Sequence, residues 1–260
     1  MDRDAAPQFV LPLVVRIEKA APPARTDALE TAARAVLVLL SDERATAADG
    51  EWAQAVRDWQ DARIRKVVRR ARGAEWRRAS GLPGTTVTGR APATAPAEDV
   101  TGDEDGDRDG DGHEDGHEDG DGASAAAAEV RVFPPVPLDG WPKELAKLQV
   151  SGTDLSDPEP PPAPDPTGPV LWLSPHVEMS AGKAMAQAGH GAQLAWWELD
   201  DAARAAWREA GFPLAVRTAS PERWDELTAS GLPVVRDAGF TEIAPGSCTV
   251  VADHPALRRR

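Results

Sequence analysis

The segment "GKAMAQAGHGAQLAWW", residues 182–197, places Lys183, Gln187 and His190 at i, i+4 and i+7. On a helix these positions share one face, so an ammonium, an amide and an imidazole stand in a row. An ammonium can stabilise an anionic oxygen, an amide can hold a ligand by hydrogen bonds, and an imidazole can exchange a proton near neutral pH. The neighbouring residues are small: Ala184, Ala186, Ala188, Gly189, Gly191 and Ala192. Each interior glycine costs a helix about 1 kcal/mol relative to alanine. What it allows in exchange is close approach by another backbone or a ligand. The competing reading is a solvated polar face on an Ala-rich packing helix.

A second segment, "RDAGFTEIAPGSCTVV" at 236–251, joins two strands through Ala238-Gly239 and Pro245-Gly246. Asp237, Thr241 and Thr249 are its small polar groups, and alone the Asp-Ala-Gly step is only a turn. The elements that must position both segments are legible around them. "PVLWLSP" suits a buried strand; a helix follows with Ser180 as N-cap, and "DDAARAAWREAG" is a second helix. "FPLAVRTAS" is a strand, "PERWDELTASG" a helix with Pro221 in its first turn, and "LPVVRDAG" and "GSCTVVAD" are strands. The order β-α-α-β-α-β-β implies an α/β unit with a mixed four-stranded sheet and flanking helices.

The first part of the chain repeats this order. "FVLPLVVRIE" is a strand, "TDALETAARAVLVLLSD" and "GEWAQAVRDWQDA" are helices, and "IRKVVRRARG" is a strand. "AEWRRASG" is a helix, and "LPGTTVTG" and "AEVRVFPPV" are strands. Arg69 and Trp76 stand seven apart, as do Arg217 and Trp224, and each pair precedes a Ser-Gly-Leu-Pro, Ser80–Pro83 and Ser230–Pro233. These matches predict a duplicated fold, with a degenerate N-terminal copy over 8–150 and the second unit over 169–256. The Pro-rich stretch at 151–168 reads as an extended linker.

Composition bounds the rest. The 260 residues carry a formal charge of −14, but 101–122 alone hold eleven Asp and Glu against one Arg, so the remainder is only −4. That Gly/Asp run is predicted to be a solvated, disordered insertion between the last two strands of the first copy. Its alternate carboxylates, with His113 and His117, resemble a calcium loop only in part, and no metal site is assigned. The single cysteine, Cys248, excludes an intramolecular disulfide framework and any cysteine-built zinc site, and is expected to be a small buried hydrophobe. No apolar run is long enough for a membrane span, and "MDRDAAPQFV" lacks the features of a secretory signal; the expected location is the cytoplasm.

Together, "GKAMAQAGHGAQ" and "LPVVRDAGFTEIAPGSCTVV" resemble the two signatures of the archaeal/eukaryotic-type (Pth2) peptidyl-tRNA hydrolases, a G-K-x-A-A-Q-x-x-H-A helix and a D-A-G-x-T-x-I-A-P-G-x-x-T strand pair. The resemblance covers about 169–254. It implies hydrolysis, without a metal or other cofactor, of the ester between a peptide and the terminal ribose of tRNA, by a protein that is usually a homodimer. Carried over by position, it implies catalytic roles for Lys183, His190, Asp237, Thr241 and Thr249, and substrate contacts for Gly182 and Gln187; Arg217 and Arg236 are further candidate substrate contacts. Those groups suit ester cleavage: a water must lose a proton, and the tetrahedral oxyanion needs donors.

The chain departs from that pattern in "VLWLSPHVEMSAGK", where Ser174 and Pro175 replace the region of an Arg, and at Gly189 and Gly191, which flank the histidine. The N-terminal copy lacks both signatures, and is expected to be an inactive stand-in for the second subunit, giving a monomeric pseudo-dimer; a homodimer is the alternative. Its "RIRKVVRRARGAEWRR", residues 63–78, carries eight Lys or Arg and is a candidate for tRNA phosphates. The other readings are a solvated face or a partner for the acidic run. A noncatalytic tRNA- or protein-binding relative is the alternative function.

Overall fold

The computed structural model describes residues 8–90, 125–237 and 243–258; the acidic run and Thr241 lie outside the described residues. In the first half, β1 (Phe9–Arg16) is followed by α1 (Arg25–Ser41), α2 (Glu43–Thr46), α3 (Ala53–Asp61), β2 (Arg65–Ala71), α4 (Gly73–Ser80), β3 (Thr85–Thr88), β4 (Glu129–Val132), β5 (Val136–Pro137) and α5 (Lys143–Ala146). The second half runs β6 (Val170–Leu173), α6 (Ala181–Glu198), α7 (Asp201–Glu209), β7 (Ala215–Thr218), α8 (Pro221–Ala229), β8 (Val234–Arg236) and β9 (Cys248–Asp253), then a short 3-10 turn, Pro255–Leu257.

The two sheets have the same order, β2-β1-β4-β3 and β7-β6-β9-β8, and the first adds β5 beside β1. In each, the opening strand is parallel to its first neighbour and antiparallel to its second. Central strands covered on both faces need apolar side chains throughout, and "FVLPLVVR" supplies them. Register makes the duplication exact at the matched residues: Val14 lies between Arg69 and Arg131, and Trp172 between Arg217 and Val251. Trp76 and Trp224 occupy matching places under the outer faces of the two sheets.

One difference between the copies matters for the site. Thr88 pairs with Glu129 and Val87 with Val130, whereas Arg236 pairs with Cys248 and Val235 with Val250. Thr249 is therefore the extra residue of a β-bulge that the first copy lacks. Bulges re-aim a side chain, and this one buries the Thr249 hydroxyl beneath α6.

The halves share one core. α1 and α6 pack along each other, and each also reaches across, α6 onto β2 and α1 onto β7. A single apolar cluster joins Leu11, Leu13, Val36 and Leu37 to Leu171, Met185, Ala188 and Val250. Each Leu or Val buried there stabilises the pair by about 1.5–3 kcal/mol.

Residues 151–168, expected from their prolines to be an extended linker, contain no helix or strand and pack against the folded halves in places. Thr153 and Leu155 are buried, and Asp157 accepts hydrogen bonds from the Thr26 amide and hydroxyl, both at 2.7 Å. Ala24 gives α1 no side-chain cap, so this carboxylate, distant in sequence, satisfies the open helix end. Cys248 is only partly buried, its sulfur accepting from Arg236 Nη1 at 3.0 Å.

Candidate active site

Helix α6 begins where sequence places it, the Ser180 hydroxyl accepting from the Lys183 amide at 3.3 Å. From its first turn Lys183 extends Nζ to Asp237 Oδ2, 2.5 Å away. One turn on, Gln187 donates from Nε2 to the same oxygen at 2.7 Å, and its Oε1 accepts from the Thr249 hydroxyl at 2.6 Å. Asp237 follows β8 and is held by its own backbone, its amide donating to Ser247 O at 2.9 Å and its carbonyl accepting from Gly246 at 2.7 Å. The four side chains form one chain, Lys183–Asp237–Gln187–Thr249, with only Lys183 reaching appreciably toward solvent. Arg236, next to Asp237, is exposed.

The remaining candidates fall elsewhere. His190 is half-buried one turn beyond Gln187, and Nδ1 meets Lys66 Nζ from β2 at 3.1 Å. Gly182 is covered by Thr153, whose hydroxyl accepts the Gly182 amide at 2.9 Å, so that amide has no hydrogen left for substrate. Arg217 is committed to the junction between halves: Nη1 pairs with Glu30 Oε1 at 2.7 Å and Nε donates to Pro162 O at 3.0 Å. Gly182 and Arg217, expected as substrate contacts, are thus both engaged by neighbouring parts of the chain. Gln187 and Thr249 are buried, with their side chains hydrogen-bonded in line behind Asp237.

The flanking glycines serve packing. A Cβ on Gly189 would lie 2.9 Å from Val36 Cγ2, and one on Gly191 would lie 2.8 Å from Val250 Cγ1. The close neighbour at Gly189 is α1, not a ligand.

Lys66 was hidden in the basic stretch at 63–78. Its Nζ meets His190 and Gln193 Oε1, and lies 4.9 Å from the centre of the Trp59 ring. Burial pushes its ammonium well below the ordinary lysine range. Burial, the largest cause, pushes His190 well below the usual histidine value, so its imidazole is neutral at physiological pH. The available signal was alternation: Lys66 shares strand parity with Val68, which enters the shared core. Arg69 and Arg70 bond to the carbonyls of Leu148 and Ser151, leaving Arg72, Arg77 and Arg78 as the exposed cations of that stretch.

Among the described residues the first copy has no such cluster. Gly89 stands where Asp237 does, its amide donating to Ala128 O. Asp27, third in α1 as Lys183 is third in α6, fills the space above Gly89 and accepts from the amides of Arg90 and Ala128 at 3.0 and 2.7 Å. Its carboxylate also accepts from the Thr31 hydroxyl at 3.5 Å, so its partners lie within the first half. Among the described residues no three His, Cys, Asp or Glu side chains gather to hold a metal ion, and no helix is long and apolar enough to cross a membrane.

Comparison with known proteins agrees with this asymmetry. The profile of the family Peptidyl-tRNA hydrolase PTH2 matches residues 170–260, the half that carries the four-residue chain. Proteins named "Peptidyl-tRNA hydrolase" from two strains of Halobacterium salinarum are each 34% identical over 94 residues, spanning 34% of this chain and 84% of theirs. The chain belongs to the peptidyl-tRNA hydrolase PTH2 family. Within this PTH2 protein the match accounts for the second half only. The first half is related to it here by strand order and register.

Proposed function

We propose that this chain is a peptidyl-tRNA hydrolase, cleaving the ester between a peptide, or an N-blocked aminoacyl group, and tRNA, and so returning tRNA to use. The observation that supports this best is the chain Lys183–Asp237–Gln187–Thr249, built by the segment that matches the family. In the proposed reaction a water oxygen attacks the ester carbonyl and its proton passes to Asp237 or His190. The oxyanion meets the Lys183 ammonium, which Asp237 holds in place. Collapse expels the ribose oxygen, which takes the proton, leaving a free peptide acid and tRNA. Gln187 and Thr249 keep the carboxylate oriented, Thr241 serves among the catalytic groups, and exposed Arg236 contacts the tRNA end.

The N-terminal half is the stand-in for a second subunit in this reading, and the packing of α1 on α6 with reciprocal contacts to β7 and β2 supports it. The site of action is the cytoplasm, where tRNA turns over. A noncatalytic tRNA-binding relative is the second reading, favoured by the mutual neutralisation of Lys183 and Asp237. Incubating the purified chain with N-acetyl-aminoacyl-tRNA, with and without EDTA, tests the proposal. Release of the acyl group in both is expected, and retention of tRNA without release supports the second reading.

A further inference from the structure

The proposed hydrolase site lies in the second half, yet one buried group beside it comes from the first. Lys66 Nζ is within reach of three groups: Ile64 O at 3.4 Å, Gln193 Oε1 at 2.5 Å and His190 Nδ1 at 3.1 Å. Its side chain crosses from β2 to α6 at the point where Gly189 leaves room, a Gly189 Cβ standing only 3.3 Å from Lys66 Cδ. None of these partners is a carboxylate. A buried ammonium without a counter-charge is costly, so the amine form is favoured. An amine has two protons and one lone pair. The two carbonyl oxygens accept its protons, and the lone pair is left to accept Nδ1–H of His190. Lys66 is the hydrogen-bond partner of His190 among the described residues, and with the ring proton on Nδ1 the acceptor nitrogen would be Nε2.

We propose that Lys66 is a positioning residue for His190: supplied by the N-terminal half, it fixes the ring and holds it as the Nδ1–H tautomer, presenting Nε2 as a proton acceptor. This deepens the proposed function and rests on that reading for its catalytic meaning. Free imidazole has no such constraint, and a histidine whose tautomer is set by its neighbour is the usual arrangement where one ring nitrogen must be the acceptor. The inference also gives the first half a chemical contribution beyond its packing surface.

The test joins a spectroscopic and a kinetic measurement on the full chain. Nitrogen-15 shifts of the His190 ring are read at neutral pH in the wild type and in Lys66→Met, with Lys66→Gln, whose amide is too short to reach the ring, as a second variant. The expected result is a dominant Nδ1–H tautomer in the wild type that shifts toward Nε2–H in both variants. In N-acetyl-aminoacyl-tRNA hydrolysis, kcat is expected to fall about 10-fold or more with KM within about twofold. An Nε2–H tautomer in the wild type, or ring shifts unchanged by substitution, overturns the inference. Unchanged kcat in a variant whose ring shifts do move also overturns it as a positioning role. The ring shifts are read without turnover, so a chain that fails to cleave tRNA esters counts against the functional reading and is told apart from a failure of the Lys66–His190 coupling.

Discussion

Replacing Gly189 by alanine tests whether the glycines flanking His190 serve the junction of the two halves. On an exposed helix, Gly→Ala is stabilising by about 1 kcal/mol. Here the new methyl would stand 2.9 Å from Val36 Cγ2 and 3.3 Å from Lys66 Cδ, inside the 3.5–4.0 Å of normal carbon contacts. Overpacking of that kind costs about 1–3 kcal/mol, so the expected net loss is about 1 kcal/mol. For a chain of this size that lowers Tm by about 2–4 °C. Val36→Ala removes the obstructing methyl. The double variant should then recover the helix-propensity gain, with a coupling of about 1–2 kcal/mol in a double-mutant cycle followed by thermal and urea unfolding. A rise in Tm for Gly189→Ala alone, with simple additivity to Val36→Ala, would refute the close approach of α1 as the reason for the glycine.

Three further outcomes follow from contacts between segments distant in sequence. Asp157→Ala removes the acceptor for the Thr26 amide and is expected to destabilise the chain by about 1 kcal/mol, seen in the urea midpoint; no change would mean α1 needs no cap from 151–168. Arg217→Met leaves Glu30 without its charged partner in the half-buried junction and should cost about 1.5–3 kcal/mol without changing affinity for tRNA, measured by unfolding and filter binding. His254, packed edge-on against Trp207 with Nδ1 accepting from the Ala256 amide, is pushed down to about 4, mainly by burial. The unfolded chain therefore binds the extra proton first: stability from this group is complete above about pH 6.5 and is lost as pH falls toward about 4. Tm measured across that window should fall less steeply in His254→Leu, and an unchanged slope would contradict the assignment.

The sequence displayed the parts of the site that local pattern controls. Lys183 and Gln187 were visible because i, i+4 spacing places them on one helix face, and Asp237 because it ends a strand at a turn. The duplicated order was visible through Arg69, Trp76 and their counterparts, since strand register and a buried Trp constrain both copies alike. Contacts across the chain were not. Lys66 looked like one more member of a basic run, because its burial depends on α6 lying over β2. The Arg217–Glu30 pair was hidden for the corresponding reason, Glu30 being far away in sequence. The bulge that inserts Thr249 under α6 is invisible in "GSCTVVAD", since register is set by pairing with β8. Asp157 was read as part of a spacer because proline content reports what 151–168 cannot form, and says nothing of what it packs against.

The central claim is that the Lys183–Asp237 pair belongs to a working esterase. Its most direct measurement is single-turnover release of labelled N-acetyl-aminoacyl from tRNA by the wild type, by Asp237→Asn and by Lys183→Met, with EDTA present and with folding of each variant verified by its melting curve. Release by the wild type that falls about 100-fold or more in both folded variants is the result this account predicts. Folded wild type that binds tRNA and leaves the ester intact, or variants that cleave as fast as the wild type, would contradict it.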